Sequence, residues 1–186
     1  MIRGDKDTIH VLFCANPTYY QHTGVSACSL AVNNADSNIC IHLITTARDG
    51  DFERDLHRAV SRHRNLTLEI YPADLSRIEK LSTRGHCSME TYLRFLATDL
   101  LPYDLSRVIY LDSDLLVLRS IRDLWRFDLS QKSLGAARDY PWDPDRSESL
   151  RHRKLGISPR KEYFNAGVLL IDLDRWRSAD ISEKLI

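Results

Sequence analysis

Two spacings of apolar residues alternate along this chain, one of strands and one of helices. Residues 9–14 form a short apolar run that predicts a buried strand. Asn16-Pro17-Thr18 ends it, because proline cannot donate to a ladder and asparagine favours turns. Residues 19–33 predict a helix with Gly24, Ala27, Cys28 and Ala31 on one stripe, small enough for close approach to a sheet. Residues 39–45 predict a second strand. A second helix then carries Phe52, Leu56, Ala59, Val60 and His63 on one face, and residues 66–71 predict a third strand. Strand, helix, strand, helix, strand in this order predicts a parallel α/β sheet with right-handed crossovers.

Residues 74–81 predict a short helix and 84–86 a loop. The clearest helix spans 88–101. Met89, Leu93, Leu96 and Leu100, with Tyr92 and Ala97, make its buried stripe; Ser88 is placed to cap it and Pro102 to stop it. Arg94 lies off that stripe, where it can pair with Glu90 at i,i+4 or face a ligand. Further on, residues 121–125 predict a helical turn and 134–137 a small-residue strand ending at Asp139. Residues 140–161, charged and broken by prolines, predict a mobile surface loop. Residues 163–171 return to strand, interrupted by Asn165 and Gly167; a glycine inside a strand marks close approach by a ligand or another backbone. Trp176 sits on a short helix and Ile181 starts another.

One stretch carries chemistry. In V-I-Y-L-D-S-D-L-L-V-L, residues 108–118, two apolar runs read as strands enclose two carboxylates. Residues two apart in an extended chain share a side, so Asp112 and Asp114 can aim at one point. Anions that close repel, and burial makes both ionised forms costly. A bound cation removes the conflict, and carboxylate oxygens suit Mg²⁺ or Mn²⁺. Magnesium typically combines one or two carboxylates with substrate phosphates. The spacing points to a metal site holding a phosphate-bearing substrate; a polar turn between two strands is the plainer alternative.

Composition narrows the field. With 186 residues, 43% of them hydrophobic, the chain can bury one sizeable core. Lys plus Arg equals Asp plus Glu at 26 each, which gives no electrostatic case for nucleic acid or an acidic membrane surface. No apolar run is long enough to span a bilayer. The polar start leads directly into a strand and does not read as a signal peptide. Cys14, Cys28, Cys40 and Cys87 show no C-x-x-C spacing, and three sit in apolar-periodic segments, as reduced core thiols do. A cytoplasmic location follows from these features.

T-Y-L-R-F at 91–95, Y-L-D-S-D-L-L-V-L at 110–118, S-I-R-D-L-W at 120–125 and Y-F-N-A-G-V-L-L-I-D-L-D-R-W at 163–176 stand in this order along the chain. Together they resemble glycosyltransferase family 8, which includes lipopolysaccharide galactosyl- and glucosyltransferases and glycogenin. A lone D-x-D is weak evidence; followed by F-N-A-G-V it is specific. The resemblance implies one GT-A domain over residues 1–186, a Rossmann-like nucleotide-binding half-sheet continued by mixed strands and flanked by helices. It implies a UDP-sugar donor, a Mn²⁺ (or Mg²⁺) ion, a glycan or lipid-linked acceptor and hexose transfer with retention at the anomeric carbon. Carried over by position, Asp112, Ser113 and Asp114 match the metal and diphosphate site. Cys14, Ala15, Asn16, Thr18 and Tyr19 match the uracil and ribose pocket. Arg94 matches an arginine that contacts donor phosphate or sugar. Asp139 and Asn165 match groups that hold sugar hydroxyls, and Ala166 and Gly167 match backbone beside the donor.

The chain departs from the family pattern twice. The family usually has Asp where Asn16 stands and Asn where Thr18 stands; an amide can still donate to and accept from uracil. Family members also continue into a H-x-x-G-x-x-K-P-W segment, whose histidine is a third metal ligand and whose lysine meets the phosphates. None of the seven histidines here sits in that context. The expectation is the donor-binding part of a transferase, C-terminally truncated, with any peripheral membrane association residing in the missing part. A UDP-sugar-binding remnant or partner subunit is the non-enzymatic alternative. A haloacid-dehalogenase-type phosphatase fits less well, because its D-x-D lies near the N-terminus and is followed by Gly-Thr rather than Leu115-Leu116. A nucleotidyltransferase would want a Gly-rich basic loop where Asn16-Pro17-Thr18 stands.

Overall fold

The computed structural model describes residues 8–81, 89–138 and 164–186. Strands β1 (Ile9–Ala15), β2 (Ile39–Thr45) and β3 (Leu66–Pro72) alternate with helices α1 (Tyr20–Val32) and α2 (Gly50–Val60). β1 pairs in parallel with β2, and β2 with β3. Every residue of β2 is buried, as in a strand covered on both faces. β4 (Arg107–Leu111) adds to the other side of β1, also in parallel. β5 (Leu134–Arg138) and β6 (Phe164–Asp172) then make the sheet mixed: β6 runs antiparallel to β4, and β5 antiparallel to β6. The order is β3-β2-β1-β4-β6-β5.

Alternation along β1 sorts side chains into two cores. Val11 and Phe13 face one side with Leu30 of α1 and Leu56 and Val60 of α2. Leu12 and Cys14 face the other. There they meet α3 (Met89–Leu93), α4 (Ala97–Leu100) and, past a short α5 (Arg122–Arg126), α6 (Leu173–Ser178), through Leu93, Leu96, Ala97 and Trp176. A last turn of helix, α7, spans Ile181–Leu185.

The predicted strands and helices stand close to their expected limits, with five corrections. Residues 115–118 form no strand. Val117 is held instead by α1 and its C-cap: the Val117 N–H donates to Ser29 Oγ at 2.9 Å, and Asn33 Nδ2 donates to the Val117 carbonyl at 2.9 Å. The 88–101 helix is broken, because residues 94–96 tighten into a 3-10 turn between α3 and α4. The short helix at 74–81 shrinks to a 3-10 turn at Leu75–Arg77, started by Asp74, whose carboxylate accepts from the Ser76 N–H. The inward face of α2 is Glu53, Leu56 and Val60, while Phe52 is exposed. Glu53 is tolerated inside because Arg48 grips its carboxylate through Nε and Nη2. At Gly24 the close approach is to α2: a Cβ there would lie 3.7 Å from Leu56 and 3.9 Å from Ala59. Ser88, Cys87 and the predicted loops at 84–86 and 140–161 lie outside the described residues.

Buried Asn34 shows how the loop after 118 is anchored. Its Oδ1 accepts from the Ile121 N–H at 2.8 Å, and its Nδ2 donates to the Leu30 carbonyl at 2.9 Å. Asn34→Leu keeps the size and strands a buried N–H, so a loss of about 1–3 kcal/mol is expected. The midpoint of urea denaturation checks it.

Candidate functional site

The carboxyl ends of β1 and β4 lie side by side where the sheet order reverses, with β2 and β3 on one side of β1 and β4 on the other. Open α/β sheets bind ligands in the crevice at such a switch point. Asn16, Thr18 and Tyr19 follow β1; Asp112, Ser113 and Asp114 follow β4. Residues 113–114 form a turn, so strand alternation is not what orients the two carboxylates. Ser113 is buried and its hydroxyl donates to the Cys14 carbonyl at 3.4 Å, tying the two strand ends together. Asp114 is exposed and the Asp112 side chain is 41% exposed, so both reach solvent.

Asp112 is held firmly. The Tyr110 hydroxyl donates to its Oδ1 at 2.6 Å, Arg94 Nη2 lies 3.5 Å from the same oxygen, and the Asp112 N–H donates to the Gly167 carbonyl at 2.8 Å. Among the described residues, the side-chain hydrogen bonds of Asp112 all run to Oδ1. Burial raises the Tyr110 hydroxyl well above the ordinary tyrosine range, so it stays a donor to that carboxylate. Arg94 also bonds two backbone carbonyls. Its Nη1 donates to the Ala166 carbonyl at 2.7 Å and its Nε to the Thr91 carbonyl at 2.9 Å. Its guanidinium lies 4.2 Å over the Tyr110 ring, a cation–π contact. It therefore faces the crevice.

Gly167 and Asn165 interrupt β6 as expected. Ala136 pairs with Leu169, but the next residue, Ala137, pairs with Asn165. Residues 166–168 thus bulge out of the ladder with β5, while Val168 stays in register with Leu111 of β4. Asn165 Oδ1 accepts from the Gly167 N–H at 2.8 Å and closes the bulge. A Cβ on Gly167 would lie 2.8 Å from Asp112 Oδ2 and 3.0 Å from Asn165 Oδ1. The close approach signalled by this glycine is to the Asp112 carboxylate.

The β1 side of the crevice is tied to α3. Asn16 caps the 3-10 turn Pro17–Tyr19; its Oδ1 accepts from Thr18 Oγ1 at 2.6 Å and from the Tyr19 N–H at 3.3 Å. Its Nδ2 donates to Glu90 Oε1 at 2.8 Å. Thr18 and Tyr19 are exposed, Ala15 is buried, and Cys14 packs its side chain into the second core. Burial pushes the Cys14 thiol far up, so it is no nucleophile. Asp139 lies outside the described residues. Tyr110 and Thr91 were missed from the sequence. Tyr110 had a signal, since it stands two residues before Asp112 on one strand; Thr91 acts through its carbonyl and had none.

Comparison with known proteins places the chain. The model of Glycosyl transferase family 8 matches residues 10–186. General stress protein A of Bacillus subtilis is 27% identical over 184 residues, covering 97% of this chain and 62% of that protein. The lipopolysaccharide 1,3-galactosyltransferase of Salmonella typhimurium is 26% identical, over 98% of this chain and 53% of that one. An active-site mutant of LgtC superimposes with a TM-score of 0.78 at 28% identity, covering 94% of this chain and 61% of LgtC. The galactosyltransferase LgtC solved with donor and acceptor sugar analogues gives 0.74 at 27% identity, over 94% and 62%. The chain therefore spans little more than half the length of these relatives. The mixed six-stranded sheet is a GT-A fold. Among the described residues, no helix is long and apolar enough to cross a membrane.

Proposed function

The chain belongs to glycosyl transferase family 8, and from that premise we propose that it binds a UDP-hexose and moves galactose or glucose, with retention, to a hydroxyl of a glycan or lipopolysaccharide acceptor. The observation that carries this reading is the convergence of Asp112, Arg94 and the Asn165–Gly167 bulge beside the β1/β4 switch point. LgtC, solved with donor and acceptor sugar analogues, supports it by likeness.

The donor set suits a hard divalent ion: two solvent-reaching carboxylates, one pinned through Oδ1 with Oδ2 turned toward Gly167. Asp112 and Asp114 would hold Mn²⁺ (or Mg²⁺). The ion would supply Lewis-acid stabilisation of a departing diphosphate. Arg94, fixed by two carbonyls and a ring, presents a planar cation to phosphate without paying further for its own ordering. Ser113 keeps the strand ends together under the donor. Gly167 leaves backbone open beside Asp112, and Asn165, with Asp139, would orient sugar hydroxyls, a proximity contribution. Cys14, Ala15, Asn16, Thr18 and Tyr19 would receive uracil and ribose. For Asn16 Oδ1 to accept from the base it must give up the Thr18 hydroxyl or the Tyr19 N–H, whereas Nδ2 has a second hydrogen beside the one donated to Glu90.

The test is a thermal-shift panel. UDP with Mn²⁺ is expected to raise the melting temperature more than CDP or ADP with Mn²⁺, and more than UDP in chelator. Equal shifts for all three nucleotides would overturn the reading. The alternative reading is a UDP-sugar-binding fragment or partner subunit without transfer. Release of labelled hexose from UDP-galactose or UDP-glucose separates the two.

A further inference from the structure

At the other end of β1 and β2, three metal-ligating side chains meet. His10 and Cys40 are register partners across the parallel pair, and His42 lies two residues further along β2, on the same face. One ligand atom from each lies within 4.8 Å of the others. His10 Nδ1 stands 2.9 Å from His42 Nε2, with the rings stacked at 5.2 Å between centroids. Cys40 and His42 are buried; His10 is half-buried and gives access. We propose that His10, Cys40 and His42 form a Zn²⁺ site, with water as fourth ligand.

Zinc takes imidazole nitrogen and thiolate sulfur in tetrahedral sites. At its usual bond lengths, neighbouring ligand atoms stand roughly 3.3–3.6 Å apart. His10 Nδ1 and His42 Nε2, now 2.9 Å apart, would part by roughly 0.4 Å to admit the ion. The surroundings are those of a ligated histidine, whose second ring nitrogen normally bonds an oxygen that fixes its tautomer. His42 Nδ1 lies 3.1 Å from the Tyr71 hydroxyl, which donates to the Glu69 carboxylate. That relay keeps the proton on Nδ1 and turns the Nε2 lone pair toward His10 and Cys40. Burial holds both histidines neutral near pH 7, as ligands must be. On binding, the Cys40 thiol proton leaves to solvent and the His10 proton moves to its other ring nitrogen. The nitrogen and sulfur donors separate this site from the all-oxygen pair Asp112 and Asp114, which suits Mn²⁺.

The experiment is zinc content per chain after dialysis, with Mn²⁺ present throughout, backed by Co²⁺ substitution. One zinc per chain is expected in the wild type and equally in Asp112→Asn, which keeps the result independent of the donor site. Tyr71→Phe should weaken zinc by about 10–100-fold. His10→Gln, at a half-exposed position and checked for folding by circular dichroism, should lose the ion. A thiolate-to-cobalt charge-transfer band is expected, and Cys40→Ser should abolish it. Zinc uptake unchanged in His10→Gln, a cobalt band that survives Cys40→Ser, or no tight zinc in the wild type would each overturn the proposal.

Discussion

Asp112→Asn is expected to erase the melting-temperature rise that UDP with Mn²⁺ gives the wild-type chain, while leaving the unliganded protein folded. Asparagine keeps the shape and an oxygen for the Tyr110 hydroxyl, which now donates to Oδ1 at 2.6 Å. The backbone bond to the Gly167 carbonyl is untouched. What disappears is the negative charge, and with it the balance at Arg94, whose Nη2 lies 3.5 Å away. A cation entering the crevice then meets a guanidinium and no full countercharge from this position. Asp112 reaches solvent, so water screens part of that change; a loss of affinity of about tenfold or more, roughly 1.4 kcal/mol, is expected. Titration of UDP in the presence of Mn²⁺ measures it. A variant that keeps the wild-type shift would show that Asp112 holds no metal, and the diphosphate would need another anchor.

The same neighbourhood shows what local sequence can and cannot carry. Asp112, Arg94 and Gly167 were legible because each broke a local rule. Two carboxylates followed an apolar strand, an arginine stood off a helix stripe, and a glycine sat inside a strand. A residue that violates the pattern around it has another job, and here all three meet. β1 and β2 were legible for the opposite reason: their apolar runs left only burial in a parallel sheet; β3, at the sheet edge, alternates apolar and polar residues instead. The failures share a cause. Leu115–Leu118 is as apolar as a strand, yet Ser29 and Asn33, distant in sequence, take the backbone groups of Val117. Glu53 displaced Phe52 from the inner face of α2 because Arg48 stood ready to neutralise it. Each outcome turned on a hydrogen-bonding partner that periodicity does not encode.

Acid should destabilise this protein more steeply than surface carboxylates alone would bring about, with His42 as the main source. Its ring is buried in the centre of the sheet, and the loss of hydration lowers its pKa from 6.5 to about 3, with a smaller contribution from neighbouring His10. The groups facing it are His10, Cys40, Tyr71 and Glu69. Among these, the Glu69 carboxylate, at 3.9 Å, is of the sign to oppose the shift. That carboxylate is half-exposed and already accepts the Tyr71 hydroxyl, so desolvation wins. The sign follows from proton counts. Between pH 6.5 and about 3 the unfolded chain carries a proton on this imidazole that the folded chain refuses. Stability therefore rises with pH through that window, is fully present above it and drains away as pH falls across it. His10, also held below its ordinary value by burial, adds a term of the same sign. The loss from His42 is on the order of a few kcal/mol, a large part of the stability of a domain this size. Urea denaturation in chelator at about pH 7 and about pH 4 measures it. His42→Gln removes the titrating ring. Whatever that substitution costs at neutral pH, its stability should fall less on acidification than the wild type's. An equal fall in both proteins would place the acid sensitivity in the carboxylates and leave the buried imidazole without a part in it.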